Sequence, residues 1–308
     1  MGRPVRCYQA DATYFVTARV IQGRLLLRPS TRTNELIGGV LARAARSHAV
    51  ELYGFFFTSN HVHLLLRVRD GCLSAFMQFL LGNLARKLGH LVRWRGAFWE
   101  RRFSAEPVFG DEAIKQRLRY IVAHGVKEGL VRRAVEWPGV SCVEQLLGSR
   151  KKVFRWFHWT LRWRGRRKSE DALDIFDDSL AEDIELELKP LPMWESLSDD
   201  ARRAEGRALV DDIEATERKR HRAVLGVERI LSQKPHHRPR PLNRTPRPLC
   251  HASSLAAWWS WREVYKAFLY EYRQASGRFR NGERHVSFPK YSFPPPLIAG
   301  ITTALLAA

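Results

Sequence analysis

The sequence predicts an α+β fold built on an antiparallel sheet, and three observations carry that expectation. Four apolar runs, over 14–21, 53–57, 61–68 and 97–108, have the length and composition of strands. Stretches between them repeat apolar residues at helical spacing. The resulting order is β-α-β-β-α-β, the split β-α-β or ferredoxin-like arrangement, with one antiparallel sheet and its helices on one face. The open face of such a sheet is a common platform for nucleic acid. Residues 1–148 are expected to form this domain. Residues 149–308 are expected to form a basic, mainly helical C-terminal extension, with an acidic linker over 170–200 and a Pro/Arg-rich one over 234–250.

In the first strand, YFVTARVI, Tyr14, Val16, Ala18 and Val20 share one face and Phe15, Thr17, Arg19 and Ile21 the other. Apolar residues on both faces suit an interior strand. Thr33-Asn34 can cap a helix running to about Ser47, with Leu36, Ile37, Val40, Leu41 and Ala44 buried. A hairpin follows, its two apolar runs flanking the polar turn Thr58-Ser59-Asn60. Ser74 can cap a second helix over 75–91, with Phe76, Phe79, Leu80, Leu84 and Leu88 as its stripe. After Gly96 the stretch 97–108 reads as a strand interrupted by Arg101-Arg102. Asp111 can cap a third helix over 112–124, buried through Ile114, Leu118, Ile121 and Val122 and ended by Gly125 and Gly129.

Beyond it, Trp137-Pro138 and Val140 read as a segment that wraps back on the domain. The stretch 151–168 interleaves Phe154, Trp156, Phe157, Trp159 and Trp163 with Lys and Arg. Two readings stand: stacking and phosphate contacts for a single strand, or an amphipathic helix with a basic outer face. The acidic stretch 170–200 reads as a partly helical linker that covers basic surface. Residues 201–222 look helical and mostly solvated. Residues 235–248 are extended, with His236 and His237 exposed rather than ligands. Ser253 or Ser254 can cap a final helix to about Ala275, and Phe288-Pro289 and 293–296 read as a tail laid over other surface.

The net charge is +20 over 308 residues, and its distribution is uneven. Residues 1–169 hold 31 Lys and Arg against 11 acids, and residues 170–200 hold 12 acids and the single base Lys189. A pI near 10.4 points to a nucleic-acid partner. Cys7, Cys72, Cys142 and Cys250 are far apart, which argues against a zinc knot or disulfide scaffold and fits a reducing cytoplasm. No apolar signal core opens the sequence, and the apolar tail from Leu297 is too short to span a bilayer.

The chemistry centres on the hairpin. His61 and His63 point to one side of their strand, so both imidazoles can reach one divalent metal. The other reading makes them ordinary polar residues near a strand end. On the third helix Gln116, Tyr120, His124 and Lys127 share a face away from the buried stripe. Tyr120 there is either a half-buried surface residue or a group with work to do. His124 could supply a third ligand to Mg²⁺ or Mn²⁺, and Tyr120 could then attack a phosphorus as a covalent nucleophile.

These residues carry a resemblance. With Asn60-His61-Val62-His63-Leu64-Leu65, Trp99-Glu100-Arg101-Arg102-Phe103, Arg119-Tyr120-Ile121, Gly129-Leu130-Val131 and Trp137-Pro138, the chain resembles the REP-associated tyrosine transposases of the HUH single-tyrosine superfamily over about residues 8–145. The resemblance implies that Tyr120 forms a 5′-phosphotyrosine with one DNA strand and leaves a free 3′-OH. It implies His61 and His63 as metal ligands, and single-stranded or hairpin DNA as partner, bound by a monomer or a homodimer. Arg19, Arg101, Arg102, Arg119 and Lys127 are the expected DNA contacts. The family often has Asn or Gln four residues after the tyrosine, then Pro; here His124 and Gly125 stand there, and histidine remains a competent ligand. Two other classes fit the sequence. A non-cleaving single-strand binder would use the aromatics of Tyr53-Gly54-Phe55-Phe56-Phe57, and a DNA-coating protein would use charge alone.

Overall fold

The computed structural model describes residues 5–160, 176, 178–239 and 247–295. Residues 11–253 belong to one compact unit, which runs past the boundary expected near 148; residues 5–10 and 254–295 belong to a second. In the first unit the expected order is present: β1 (Ala12–Arg19), α1 (Thr31–Ser47), β2 (Val50–Phe57), β3 (His61–Val68), α2 (Leu73–Leu91) and β4 (Ser104–Phe109). The strands pair antiparallel in the order β2-β3-β1-β4. The fold is therefore α+β with a mainly antiparallel sheet. Val16, Ala18, Phe55, Val62 and Leu64 are buried on one face, which α1 and α2 cover. The other face is not open. Helix α3 (Asp111–Lys127) lies across it against β2, β3 and β4.

Several boundaries differ from expectation for local reasons. Ser30, not Thr33 or Asn34, caps α1 by accepting the Thr33 N–H at 3.2 Å. Helix α2 starts before Ser74, with no side-chain cap. Residues 97–103 are irregular because their aromatics anchor elsewhere. Trp99 donates its indole N–H to the Leu81 carbonyl at 2.9 Å, and Glu100 N–H donates to Arg19 at 2.9 Å. Gly125 does not end α3. It is buried inside the helix, and Gly129, at φ +64°, makes the turn. The 137–142 segment wraps back as expected: Phe57 N–H donates to Val140 and Cys142 N–H to Phe55, at 2.9 and 3.0 Å.

The extension is more ordered than expected. After α4 (Val143–Leu147), β5 (Lys151–Phe157) and β6 (Ala181–Glu187) form an antiparallel pair, so the basic stretch meets the acidic one. Lys151 reaches Glu185 at 3.0 Å, and Glu182 takes Arg43, Arg46 and His158. Trp156 and Phe157 are buried, so this part of the stretch is neither a stacking platform nor a helix. Trp163 and the remainder of 161–168 lie outside the described residues, as do Leu297 and the tail beyond it. Helix α5 (Asp199–Arg218) is solvated on one side and buries Gly206, Leu209, Val210 and Ile213 on the other. The short α6 (Val227–Ser232) and the two-residue β7 (His251–Ala252), parallel to β4, complete the unit. His236 is exposed, as expected. In the second unit, α7 (Leu255–Arg280) is capped by Ser254, which accepts the Ala257 N–H at 3.2 Å. The tail lies on α7: Tyr272 donates its hydroxyl to the Phe293 carbonyl at 2.9 Å. Among the described residues no helix is long and apolar enough to cross a membrane.

Two helical glycines make a paired test. A Cβ at Gly39 in α1 would lie 1.9 Å from the Arg155 carbonyl oxygen of β5, while one at Gly82 in α2 would meet nothing within 4 Å. Alanine gains about 1 kcal/mol over glycine in a helix, but forced overlap with backbone costs roughly 1–3 kcal/mol. Gly39→Ala should lower the urea midpoint and Gly82→Ala should raise it. Equal shifts would refute the close approach of β5 to α1.

Lys87 is buried, donates to the Phe157 carbonyl and lies 3.8 Å from the Trp156 ring centre. Burial pulls its ammonium down to about 7 from 10.5. Above pH 7 the unfolded chain holds a proton there that the folded one has shed, so this group makes stability rise with pH. Past pH 9 the half-buried Cys7 and the buried Cys142 thiols, both pushed up to about 11, act the other way. The rise in urea midpoint from pH 7 to 9 should flatten in Lys87→Met; an unchanged slope would exclude Lys87 as its source.

Candidate active site

The register of β1 on β3 builds the site. Thr17 pairs with His63 and Arg19 with His61, so both histidines face α3 while Val62 faces the core. Helix α3 brings His124 over them. The His61 and His124 Nε2 atoms are 3.0 Å apart, and the ligand atoms of the three histidines lie within 4.8 Å of one another. The ring centres are 4.8 to 4.9 Å apart.

Neighbours orient the rings. His61 Nδ1 lies 2.7 Å from Asn60 Oδ1 and 2.9 Å from the Thr58 hydroxyl, and His63 Nδ1 lies 3.0 Å from the Thr17 hydroxyl. With these Nδ1 atoms donating, both Nε2 lone pairs point into the cluster. Burial, then the partner charges, holds His61 and His63 well below their ordinary range, and burial with Lys127 and Arg19 brings His124 down to about 4. All three are therefore neutral at neutral pH, the form that binds metal. The buried His63 Nε2 and His124 Nδ1 have no hydrogen-bond partner among the described residues. Orphaned buried nitrogens are costly, and a cation shared by the cluster would satisfy His63 Nε2. The three histidines therefore fit a divalent metal.

Tyr120 joins them. Its ring centre is 5.4 Å from His63 and 5.8 Å from His124, with Phe15 edge-on at 5.7 Å. It is half-buried. Burial, then the Glu128 carboxylate, pushes the phenol above its ordinary range, and the Arg117 and Arg19 charges act against that. Lys127 Nζ lies 4.5 Å from the ring centre and the Arg117 guanidinium 5.5 Å from it.

The expected DNA contacts divide. Arg19 and Lys127 sit where their charges act on the histidines and the tyrosine. Arg101 and Arg102 are exposed in the 97–103 segment, which is tied to the end of β1. Arg119 turns outward and pairs with Asp212 of α5. Arg117 was missed by sequence reading. Its place one turn before Tyr120 is the signal that the sequence offers, and the face defined by Gln116, Tyr120, His124 and Lys127 does not include it. Phe55, Phe56 and Phe57 are buried, so the aromatic strand is no stacking platform for a single-strand binder.

The family model described as "Transposase IS200 like" matches residues 24–124. None of the curated proteins matches the chain. Among solved structures, a REP-associated tyrosine transposase bound to a REP hairpin is 18% identical, with a TM-score of 0.41, covering 59% of this chain and 98% of the other. A putative transposase from Deinococcus radiodurans R1 is 20% identical, with a TM-score of 0.29, covering 39% and 95%. The segment 24–124 contains His61, His63, Tyr120 and His124, and over it the chain carries the pattern of the IS200-like transposases, which bears out the resemblance read from the sequence.

Proposed function

We propose that the protein cuts and rejoins single-stranded DNA at hairpin-forming repeats, as a divalent-metal-dependent tyrosine transposase and DNA nickase. One observation carries this reading: Tyr120 and three neutral, mutually facing histidines meet on one polar surface between α3 and the sheet. A packing role explains neither the orphaned His63 Nε2 nor a tyrosine placed among cations.

His61, His63 and His124 would hold the ion. Bound there, Mg²⁺ or Mn²⁺ would supply Lewis acidity to a scissile phosphate, imidazole donors favouring Mn²⁺ or another borderline ion. The Tyr120 oxygen attacks phosphorus, the bond to the 3′-oxygen breaks, and the phenolic proton is lost as that oxygen gains one. The products are a 5′-phosphotyrosine and a free 3′-OH. Reversal rejoins strands without ATP, because the ester bond is conserved. Since burial keeps the phenol protonated at neutral pH, attack depends on charge nearby. Arg117 and Lys127 lie against the ring and stabilise the phenolate as it forms. Arg19 adds its charge beside the histidines and the tyrosine.

With a labelled hairpin oligonucleotide and Mn²⁺ or Mg²⁺, the wild-type chain should form a covalent adduct that EDTA prevents and Tyr120→Phe abolishes. Equal labelling by Tyr120→Phe would sink the mechanism. Binding unaffected by EDTA, with no adduct from the wild type, would favour the non-cleaving binder. His63→Ala should weaken Mn²⁺ binding measured by calorimetry by about tenfold or more; unchanged affinity would remove the histidines as the metal site.

A further inference from the structure

The extension holds the far end of the tyrosine helix. Helix α5 packs along α3, with Asp212 paired to Arg119 and Glu205 3.5 Å from Lys115 Nζ. The buried Glu214 accepts the Ala134 N–H at 2.9 Å and lies 3.7 Å from Arg133 Nε. It thereby fixes the loop by which the chain leaves α3. Beyond α5 the chain crosses the end of α3. His221 Nε2 donates to the Lys127 carbonyl at 2.6 Å, and the Leu225 and Gly226 N–H groups donate to the Gly129 and Leu130 carbonyls at 2.8 and 2.9 Å. A Cβ at Gly129 would lie 2.9 Å from the His221 ring, so the fit is close.

The last carbonyls of a helix have no partner within it, and helix ends fray when nothing holds them. Here a segment about a hundred residues further along the chain takes the Lys127 carbonyl and the two that follow Glu128. His124 and Tyr120 occupy the last three turns of α3, so motion of this end is motion of the nucleophile and one ligand. A misplacement of about 1 Å can cost about 10²-fold in rate.

We propose that residues 199–226 position the tyrosine helix over the histidines, with Glu214 and His221 as positioning residues that act through Ala134 and Lys127 and touch no substrate. The proposal rests on the function given above for Tyr120, but its physical part does not. The test uses the full chain, the hairpin oligonucleotide and Mn²⁺. Glu214→Ala should slow adduct formation at saturating DNA by about ten- to hundredfold, with the half-saturating DNA concentration unchanged. Glu214→Gln keeps an oxygen for the Ala134 N–H and should recover to within about threefold of wild type. Amide exchange over 124–134 should quicken in Glu214→Ala and in His221→Ala, with β1 and β3 unaffected.

A wild-type rate in Glu214→Ala, a Gln variant as slow as the Ala variant, or unchanged exchange over 124–134 would each overturn the proposal. If Glu214→Ala does not stay folded, His221→Ala carries both readouts. A wild-type chain that makes no adduct defeats the proposed function, and the exchange measurement then decides the positioning claim alone.

Discussion

The groups of the site meet because α3 lies close on the sheet, and Gly54 of β2 permits that approach. A Cβ there would stand 2.7 Å from a Leu118 methyl and 3.7 Å from one of Ile121. A larger residue there would have to displace the Leu118 side chain, which packs between β2 and the helix that carries Tyr120 and His124. Gly125 plays the same part from the helix side, where a Cβ would stand 3.1 Å from Val131 and 3.4 Å from the Phe56 ring. Two hydrogen-sized side chains, one on the strand and one on the helix, thus leave room for the close packing that brings nucleophile and histidines together. Neither touches the reacting atoms.

Charge explains less of the extension than its composition suggests. The pairs Lys151–Glu185, Arg155–Asp178 and Lys152–Glu144 are solvent-exposed, and such pairs are worth about 1 kcal/mol at most. The β5–β6 hairpin is held instead by burial of Trp156, Phe157, Ile184 and Leu186. Each large apolar side chain removed from water contributes about 1.5–3 kcal/mol. Gly38 and Gly39 let β5 lie against α1: a Cβ at Gly38 would overlap the Phe154 ring and one at Gly39 the Arg155 carbonyl. The ion pairs choose the partner for a basic strand, and the apolar contacts hold it.

The sheet and its two helices were legible because period-2 and period-3.6 patterns are local, and so was the His61–Val62–His63 placement. The convergence of His124 and Tyr120 on that pair was legible only as a shared helical face pointing somewhere. What it faces is set by α3 crossing the sheet, a long-range fact that no window of sequence contains. The same limit hid β5 and β6. Aromatic-basic and acidic stretches read as platform and linker when taken singly, since the ladder that makes them strands joins residues about thirty apart. Gly125 misled for a related reason. Glycine ends helices when it is exposed, but here it is a contact surface. The cap of α1 shifted from Thr33 to Ser30 because either hydroxyl fits the local rule, and only the chain direction before the helix decides.

The edges of the five-stranded sheet bear on how copies of this protein can meet. Along β2 the outer backbone groups are taken by 140–142 and by Lys189 N–H, which donates to Leu52 at 2.9 Å. Along β4 the short strand β7 pairs with Val108 and Phe109, and Pro107 has no N–H to offer. Among the described residues, these contacts leave fewer backbone groups along β2 and the end of β4 for a neighbouring strand to pair with. At those positions another copy of this highly basic chain could extend the sheet only after the chain's own later segments had moved away.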